Sequence, residues 1–445
     1  MSLQNHSTQY PKVLIITRNA WNNNNCTGNT LSNFFRNWPK DKLANIYCRA
    51  ETINNPVCNM YYRITEQELI RNIKNRSFDV GEMFFRDGHE TEEHHIEQDI
   101  SSSKKMYGFF SRHRWTLALW ARDLIWDLGK WKNEKLEKFL KDFSPDVIYM
   151  PCYDSVYMHK ILWYVKKITK AKIVLFTGDD TYTLKQFNLS PLYWINRLID
   201  RKTMRKSVKM AETLFVISDL QKQEYDKIFK RECVILRKGG DFNKEFAPKE
   251  IYGTPLRLVY TGNIHSGRWR TLAKMAEAIK KINADGQKIQ LDIYTLSARN
   301  QKMIEMLEID GASRLMPPAT DAEIKQALLD ADVLVFVEPF ELKEKLKWRL
   351  SFSTKIVDYL ASSRAILAVG PDGLSSMDYL KRFDAAICVN DIKSLHDKLL
   401  NLANNPQIVQ EYAKKSWDCG KENNNMENTE MVLYNGLMRE KNDQK

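Results

Sequence analysis

No CxxC pair occurs in this 445-residue chain, and no run of apolar residues is long enough to span a membrane. The seven cysteines, Cys26, Cys48, Cys58, Cys152, Cys233, Cys388 and Cys419, are odd in number and widely spread. That distribution argues against a disulfide framework or a zinc site and reads as reduced thiols. A membrane-spanning helix needs roughly twenty predominantly apolar residues, and no window approaches this. The opening MSLQNHSTQYPK lacks the apolar centre of a secretion signal, so the expected location is the cytoplasm. Short-period repeats and long low-complexity tracts are also missing.

What is present suits a folded protein of more than one domain. Hydrophobic residues make up 43% and charged residues 28%, and the length exceeds what a single core usually organises. The formal net charge of +12, from 68 basic and 56 acidic residues, points to an acidic partner such as phospholipid, nucleotide or nucleic acid. Nucleic acid is disfavoured because the basic residues are spread along the chain without a recognisable binding module.

Strand and helix patterns alternate. KVLIITRNA from Lys12 reads as a buried strand, followed by the Asn-rich NNNNCTGNT and a helical LSNFFRNW. DVIYMP (Asp146–Pro151), KIVLFT (Lys172–Thr177) and LFVIS (Leu214–Ser218) are further strands, with helices over His159–Ile168 and Pro191–Met210. After the connection Ala247–Pro255 the series restarts: RLVYTGN, a helix from about Trp269 to Asn283, QLDIYTL, a short strand at Leu315–Met316, a helix over Ala322–Leu329, DVLVFVE, ILAVGP and AAICV. Alternation of this kind predicts an α/β fold with two doubly wound parallel sheets and a boundary near residues 240–255. The segment from Pro406 to about Glu440 is helical in pattern and long enough to cross back onto the first domain.

The stretch Ser351–Pro371, SFSTKIVDYLASSRAILAVGP, joins polar helix-start residues to an amphipathic helix and a buried strand. Ser351, Ser353 and Thr354 are cap-type residues, and a helix start offers free N–H groups to an anion. Lys355 adds a cation in the first turn, and Asp358 one turn later can accept from hydroxyls. A sugar nucleotide carries both groups; an ordinary capped helix with a solvated lysine fits the same spacing.

LFVISDLQKQEYDKIF followed by RKGGDFNKEF, then LVYTGNIHSGR, then Ser351–Pro371, together resemble in order and spacing the retaining GT-B glycosyltransferases of glycosyltransferase family 4 (group 1), the glycogen-synthase-like family. The likeness is good through the second half and weak between residues 40 and 140. It implies a GT-B architecture of two Rossmann-like domains facing a cleft. Residues 11–245 would be the acceptor-side domain, with 406–440 packing back on it, and 256–405 the donor-binding domain. It further implies transfer of a sugar, with retention, from a UDP- or GDP-sugar to a glycan or lipid-linked acceptor in cell-surface polysaccharide biosynthesis, with no metal or cofactor required.

By position, Arg268 and Lys355 match the family's two basic residues for the leaving diphosphate, where fixed cations lower the barrier. Gly262, Ser353, Thr354 and Asp358 match its donor-binding positions, and Gly28 and Asn29 resemble the loop facing the diphosphate from the first domain. Asp179 or Asp180, after the KIVLFT strand, would position the acceptor hydroxyl or touch the donor sugar; a helix-cap role fits equally. Several positions depart from the family: Ser353 stands for Pro, Asp358 for Glu, Ser363 for Gly and Ala365 for Pro. The upstream member of the Glu-x7-Glu pair falls at Leu350, and Pro151, Cys152 and Tyr153 occupy the region where a histidine often lies. A noncatalytic scaffold, or a sugar-nucleotide epimerase or hydrolase, is therefore the competing expectation.

Other constellations have plain alternatives. Asp330–Asp332 (DAD) lies at a helix-to-strand junction and is read as structural, not as a metal site. His94 and His95 among Glu90, Glu92, Glu93 and Glu97 project in different directions and read as a polar segment. Trp115, Trp120, Trp126 and Trp131 either pack in the core or, with Arg197, Arg201, Lys202, Arg205, Lys206 and Lys209, meet an anionic membrane surface as a peripheral protein would.

Overall fold

The structure is a computed structural model that describes residues 10–23, 26–85, 116–250 and 252–440. Its first sheet contains β1 (Val13–Thr17), β2 (Leu43–Tyr47), β3 (Met60–Arg63), β4 (Glu82–Phe85), β5 (Val147–Pro151), β6 (Lys172–Thr177), β7 (Thr213–Val216) and β8 (Val234–Ile235), in the order β4-β3-β2-β1-β5-β6-β7-β8. Every pairing is parallel except β3 with β4. The second sheet contains β9 (Leu256–Thr261), β10 (Ile289–Tyr294), β11 (Ser313–Leu315), β12 (Val333–Val337), β13 (Ala365–Val369) and β14 (Ile387–Val389), parallel throughout, in the order β11-β10-β9-β12-β13-β14. Strands such as VLIIT and VLVFV are buried along their whole length, because helices cover both faces of a parallel sheet.

In each sheet the strand order reverses beside the first strand of its series, between β1 and β5 and between β9 and β12. Chain segments leaving neighbouring strands diverge there and open a crevice at the carboxyl edge. Thr17, Thr261 and Val337 end three of these four strands, which places Arg18, Gly262 and Glu338 at the two reversal points.

The C-terminal segment folds as two helices, Pro406–Asn423 and Met426–Met438. The first packs on the second sheet, where the Ser416 hydroxyl donates to the Ala385 carbonyl at 2.7 Å. The second crosses to the first sheet: Thr213 Oγ1 donates to the Gly436 carbonyl at 2.8 Å, and Asn37 Nδ2 donates to Glu430 Oε1 at 2.5 Å. Gly436 permits this approach, since a Cβ there would lie 2.1 Å from Phe215 Cζ. Among the described residues no helix is long and apolar enough to cross a membrane.

Candidate functional site

Gly262 follows β9 with φ of 122°, a backbone conformation that L side chains rarely adopt. It also leaves room for Lys355, whose Nζ would sit 2.6 Å from a Cβ at this position. Lys355 Nζ donates to the Thr261 carbonyl at 2.8 Å and lies 4.7 Å from the centre of the Tyr260 ring. Arg268 opens the helix Arg268–Ile282, directly after Gly267, another positive-φ glycine. Its Nη2 donates to Glu338 Oε2 at 2.9 Å, and its guanidinium stacks 5.0 Å from the centre of the Trp348 ring.

Glu338 ties the cluster together. It is 4% exposed at the carboxyl end of β12, and burial pushes its carboxyl pKa up while Arg268 and Lys355 pull it back. A buried carboxylate so placed holds Arg268 by a charge-assisted hydrogen bond and attracts Lys355, whose ammonium is held by the Thr261 carbonyl. Motif comparison missed Glu338; the signal available was its position ending the apolar run VLVFV.

The segment before β13 departs from the expected cap. Its helix is Lys355–Leu360, only six residues, and Thr354 already has helical dihedrals and makes no side-chain cap bond. Ser353 N donates to Ser376 Oγ at 3.1 Å, and Ser351 Oγ donates to Asp179 Oδ1 at 2.6 Å. The Ser351 hydroxyl is thus turned to Asp179 of the other half, and the Ser353 backbone is tied to Ser376, so neither of these bonds caps the helix start. Lys355, rather than a capped helix end, supplies the local positive charge.

On the first sheet, Gly28 and Asn29 do not form a loop: both lie in the first turns of the helix Cys26–Phe34. Gly28 is buried and Asn29 exposed. Gly28 packs against the Asn22 backbone, where a Cβ would lie 2.0 Å from the Asn22 carbonyl oxygen. The two aspartates after β6 separate in role. Asp180 is fully engaged, accepting from Tyr182 N at 3.1 Å, Thr183 N at 2.7 Å and Arg197 Nη2 at 3.3 Å. It closes a turn instead of capping a helix; the next helix, Pro191–Met210, is capped by Ser190. Asp179 instead turns its carboxylate toward Ser351 on the second sheet's side.

Further bonds join the two halves at this edge. Ser218 Oγ donates to the Leu350 carbonyl at 2.7 Å, and Arg349 makes a two-pronged pair with Glu224 at 2.5 and 3.0 Å. Lys238 Nζ donates to both carboxylate oxygens of Asp358 at 2.7 and 3.0 Å. Asp358 therefore sits where the halves meet, with its side chain 47% exposed. Leu350 is fully buried, so its side chain brings no polar group to the edge.

The remaining constellations resolve into structure. Asp332 is buried and accepts from Arg257 N at 2.7 Å and Lys249 Nζ at 2.5 Å, which fixes the helix-to-strand junction. Trp126 and Trp131 are 1% and 3% exposed in the first core, so a membrane role for these two is excluded by packing. Trp120 donates to Asn196 Oδ1 at 2.9 Å. Arg197 is also buried, holding the carbonyls of Asp180 and Thr183. Trp115, His94, His95, Glu90, Glu92, Glu93 and Glu97 lie outside the described residues.

No protein-family model matches the chain, and no curated protein sequence matches it. Solved structures do. The chain is similar to HepE from Anabaena in complex with UDP, at 9% identity and a TM-score of 0.58, with 96% of this chain and 99% of that one covered. The fold is GT-B. A second GT-B structure, the UDP-forming α,α-trehalose-phosphate synthase from Burkholderia xenovorans in complex with glucose-6-phosphate, matches at 10% identity and a TM-score of 0.56, covering 96% and 99%. A TarM variant from S. aureus in complex with fondaparinux, α-GlcNAc-glycerol and UDP matches at 13% identity and a TM-score of 0.50. That match covers 68% of this chain and 58% of the TarM chain. At such identities the shared property is the GT-B fold.

Proposed function

We propose that this chain is a glycosyltransferase that moves a sugar from a nucleotide-diphosphate sugar to a glycan or lipid-linked acceptor, with retention, in cell-surface polysaccharide biosynthesis. The carrying observation is the convergence of Gly262, Arg268 and Lys355 around buried Glu338 at the β9/β12 reversal. The donor diphosphate lies against Arg268 and Lys355, and the Gly262 backbone approaches it without a side chain in the way. As the anomeric bond breaks, negative charge grows on the leaving phosphate, and cations already held by Glu338 and by the Thr261 carbonyl stabilise it without reorganising. The ribose hydroxyls reach Asp358, with Ser353 and Thr354 alongside. From the first sheet, Gly28 and Asn29 border the diphosphate, and Asp179 positions the acceptor hydroxyl once Ser351 releases it. UDP is the first donor nucleotide to try, because solved structures of this fold contain it; GDP is the second.

A screen of UDP- and GDP-sugars for binding, hydrolysis and transfer tests this reading. At least one should bind and be consumed with release of the diphosphate, and failure of the folded protein to bind any of them would refute it. Leu350 favours one rival. The family's upstream carboxylate is replaced by a buried apolar side chain, as a noncatalytic scaffold would tolerate. Nucleotide binding without turnover in the presence of native acceptor would select the scaffold.

A further inference from the structure

The helix Pro191–Met210 divides its outward face by chemistry along its axis. Leu192, Ile195, Leu198 and Ile199 are 40%, 47%, 56% and 40% exposed, and Lys202, Arg205, Lys206 and Lys209 continue the same face and are also exposed. These positions follow the three-to-four-residue spacing of one helical stripe. Its single acid, Asp200, is buried at 6%, so the outward face carries no negative charge. The helix Thr116–Leu128 extends the apolar half. Trp120 of that helix donates to Asn196 at 2.9 Å. Leu117 and Leu124, 58% and 56% exposed, lie one turn to either side of Trp120, as Leu192 and Ile199 do around Asn196.

We infer that this surface docks on an anionic lipid bilayer, the apolar start of Pro191–Met210 entering the headgroup–acyl boundary and the basic end resting on lipid phosphates. Charge complementarity selects this occupant. A second copy of the chain would bring an identical lysine and arginine row against this one. Four residues of each kind span about 10 Å of helix, so the apolar and basic halves are of equal length. The helix follows β6, so its apolar start lies at the carboxyl edge, on the same side as Asp179. A lipid-linked acceptor held in the bilayer would therefore present its head to the proposed site. This inference deepens the acceptor part of the proposed function and rests on it only for that last step.

The test is flotation of the full chain with vesicles of phosphatidylcholine alone and of phosphatidylcholine with phosphatidylglycerol, without nucleotide or acceptor. Binding should require phosphatidylglycerol and weaken with salt. The triple variant Leu192→Asp/Ile195→Asp/Leu198→Asp should lose binding. Lys202→Glu/Lys206→Glu/Lys209→Glu should weaken it by roughly fivefold or more per charge. Nucleotide affinity of both variants, measured in detergent-free buffer, should stay unchanged, which separates this result from failure of the donor site. Wild-type protein that ignores anionic vesicles would overturn the inference. So would variants that bind vesicles as the wild type does, or a dimer in solution that the aspartate variant dissolves.

Discussion

Glu338 carries more of the argument than any residue whose type alone suggested a role. A carboxylate at the end of an apolar strand is ordinary in sequence. Only the parallel register of β9 and β12 brings it within 2.9 Å of Arg268, seventy residues away in the chain. Gly262 was legible for a simpler reason, since glycine after a strand is needed where backbone must turn and leave space. Gly262→Ala would force a side chain onto a φ of 122° and into Lys355 Nζ. Nucleotide affinity should fall roughly tenfold, as expected for disturbing one charge-assisted hydrogen bond; titration calorimetry with UDP and GDP measures it.

Asp200 was not legible as a titrating group at all. Burial, then the charges of Asp154 and Asp123, push its pKa up to about 7. The ordinary carboxylate value in an unfolded chain is about 3.9. Between these values the folded protein holds a proton that the unfolded chain has lost, so stability falls as pH rises through this window and stays low above it. Asp200→Asn should therefore be more stable than wild type near pH 8, on the order of 4 kcal/mol. The gain should vanish near pH 4. Thermal unfolding across that pH range reads both ends.

At the scale of elements, the helix Pro191–Met210 has the bounds its sequence signals predict, because Ser190 caps it and Pro191 takes the first helical position. The buried strands were equally legible, since both faces of a parallel sheet require apolar residues. β2, β3 and β4 were not, because LANIY, MYYR and EMFF mix polar and aromatic residues without clear alternation. The helix Lys355–Leu360 is shorter than its pattern implied because tertiary bonds from Ser351 and Ser353 set the entry of the chain. The crossing helix Met426–Met438 depends on a close approach. Gly436→Val would drive its side chain into the Phe215 ring and should cost about 1–3 kcal/mol or more. Denaturant unfolding should show it, with protease nicking of the C-terminal helix in the folded protein.

Across the whole molecule, two sheets meet at their carboxyl edges through Asp179–Ser351, Ser218–Leu350, Glu224–Arg349 and Lys238–Asp358. The two-domain GT-B build could be inferred from repeated strand–helix alternation. Which residues of one half touch the other could not, because each contact depends on how two separate sheets sit together. Asp179 and Asp358 serve this junction in the structure, so donor and acceptor binding would exchange contacts between halves for contacts to ligand.

The central claim is that a nucleotide diphosphate binds between Arg268, Lys355 and the Gly262 turn. Calorimetric titration of UDP and GDP into wild type, Lys355→Ala and the double variant Arg268→Ala/Glu338→Gln tests it most directly. The double variant removes the arginine without leaving a buried unpaired carboxylate. The account predicts saturable binding of one nucleotide to wild type, weakened at least about tenfold in each variant, with thermal unfolding confirming that both remain folded. Folded variants that bind the nucleotide as tightly as wild type, or a wild type that binds neither nucleotide, would contradict it.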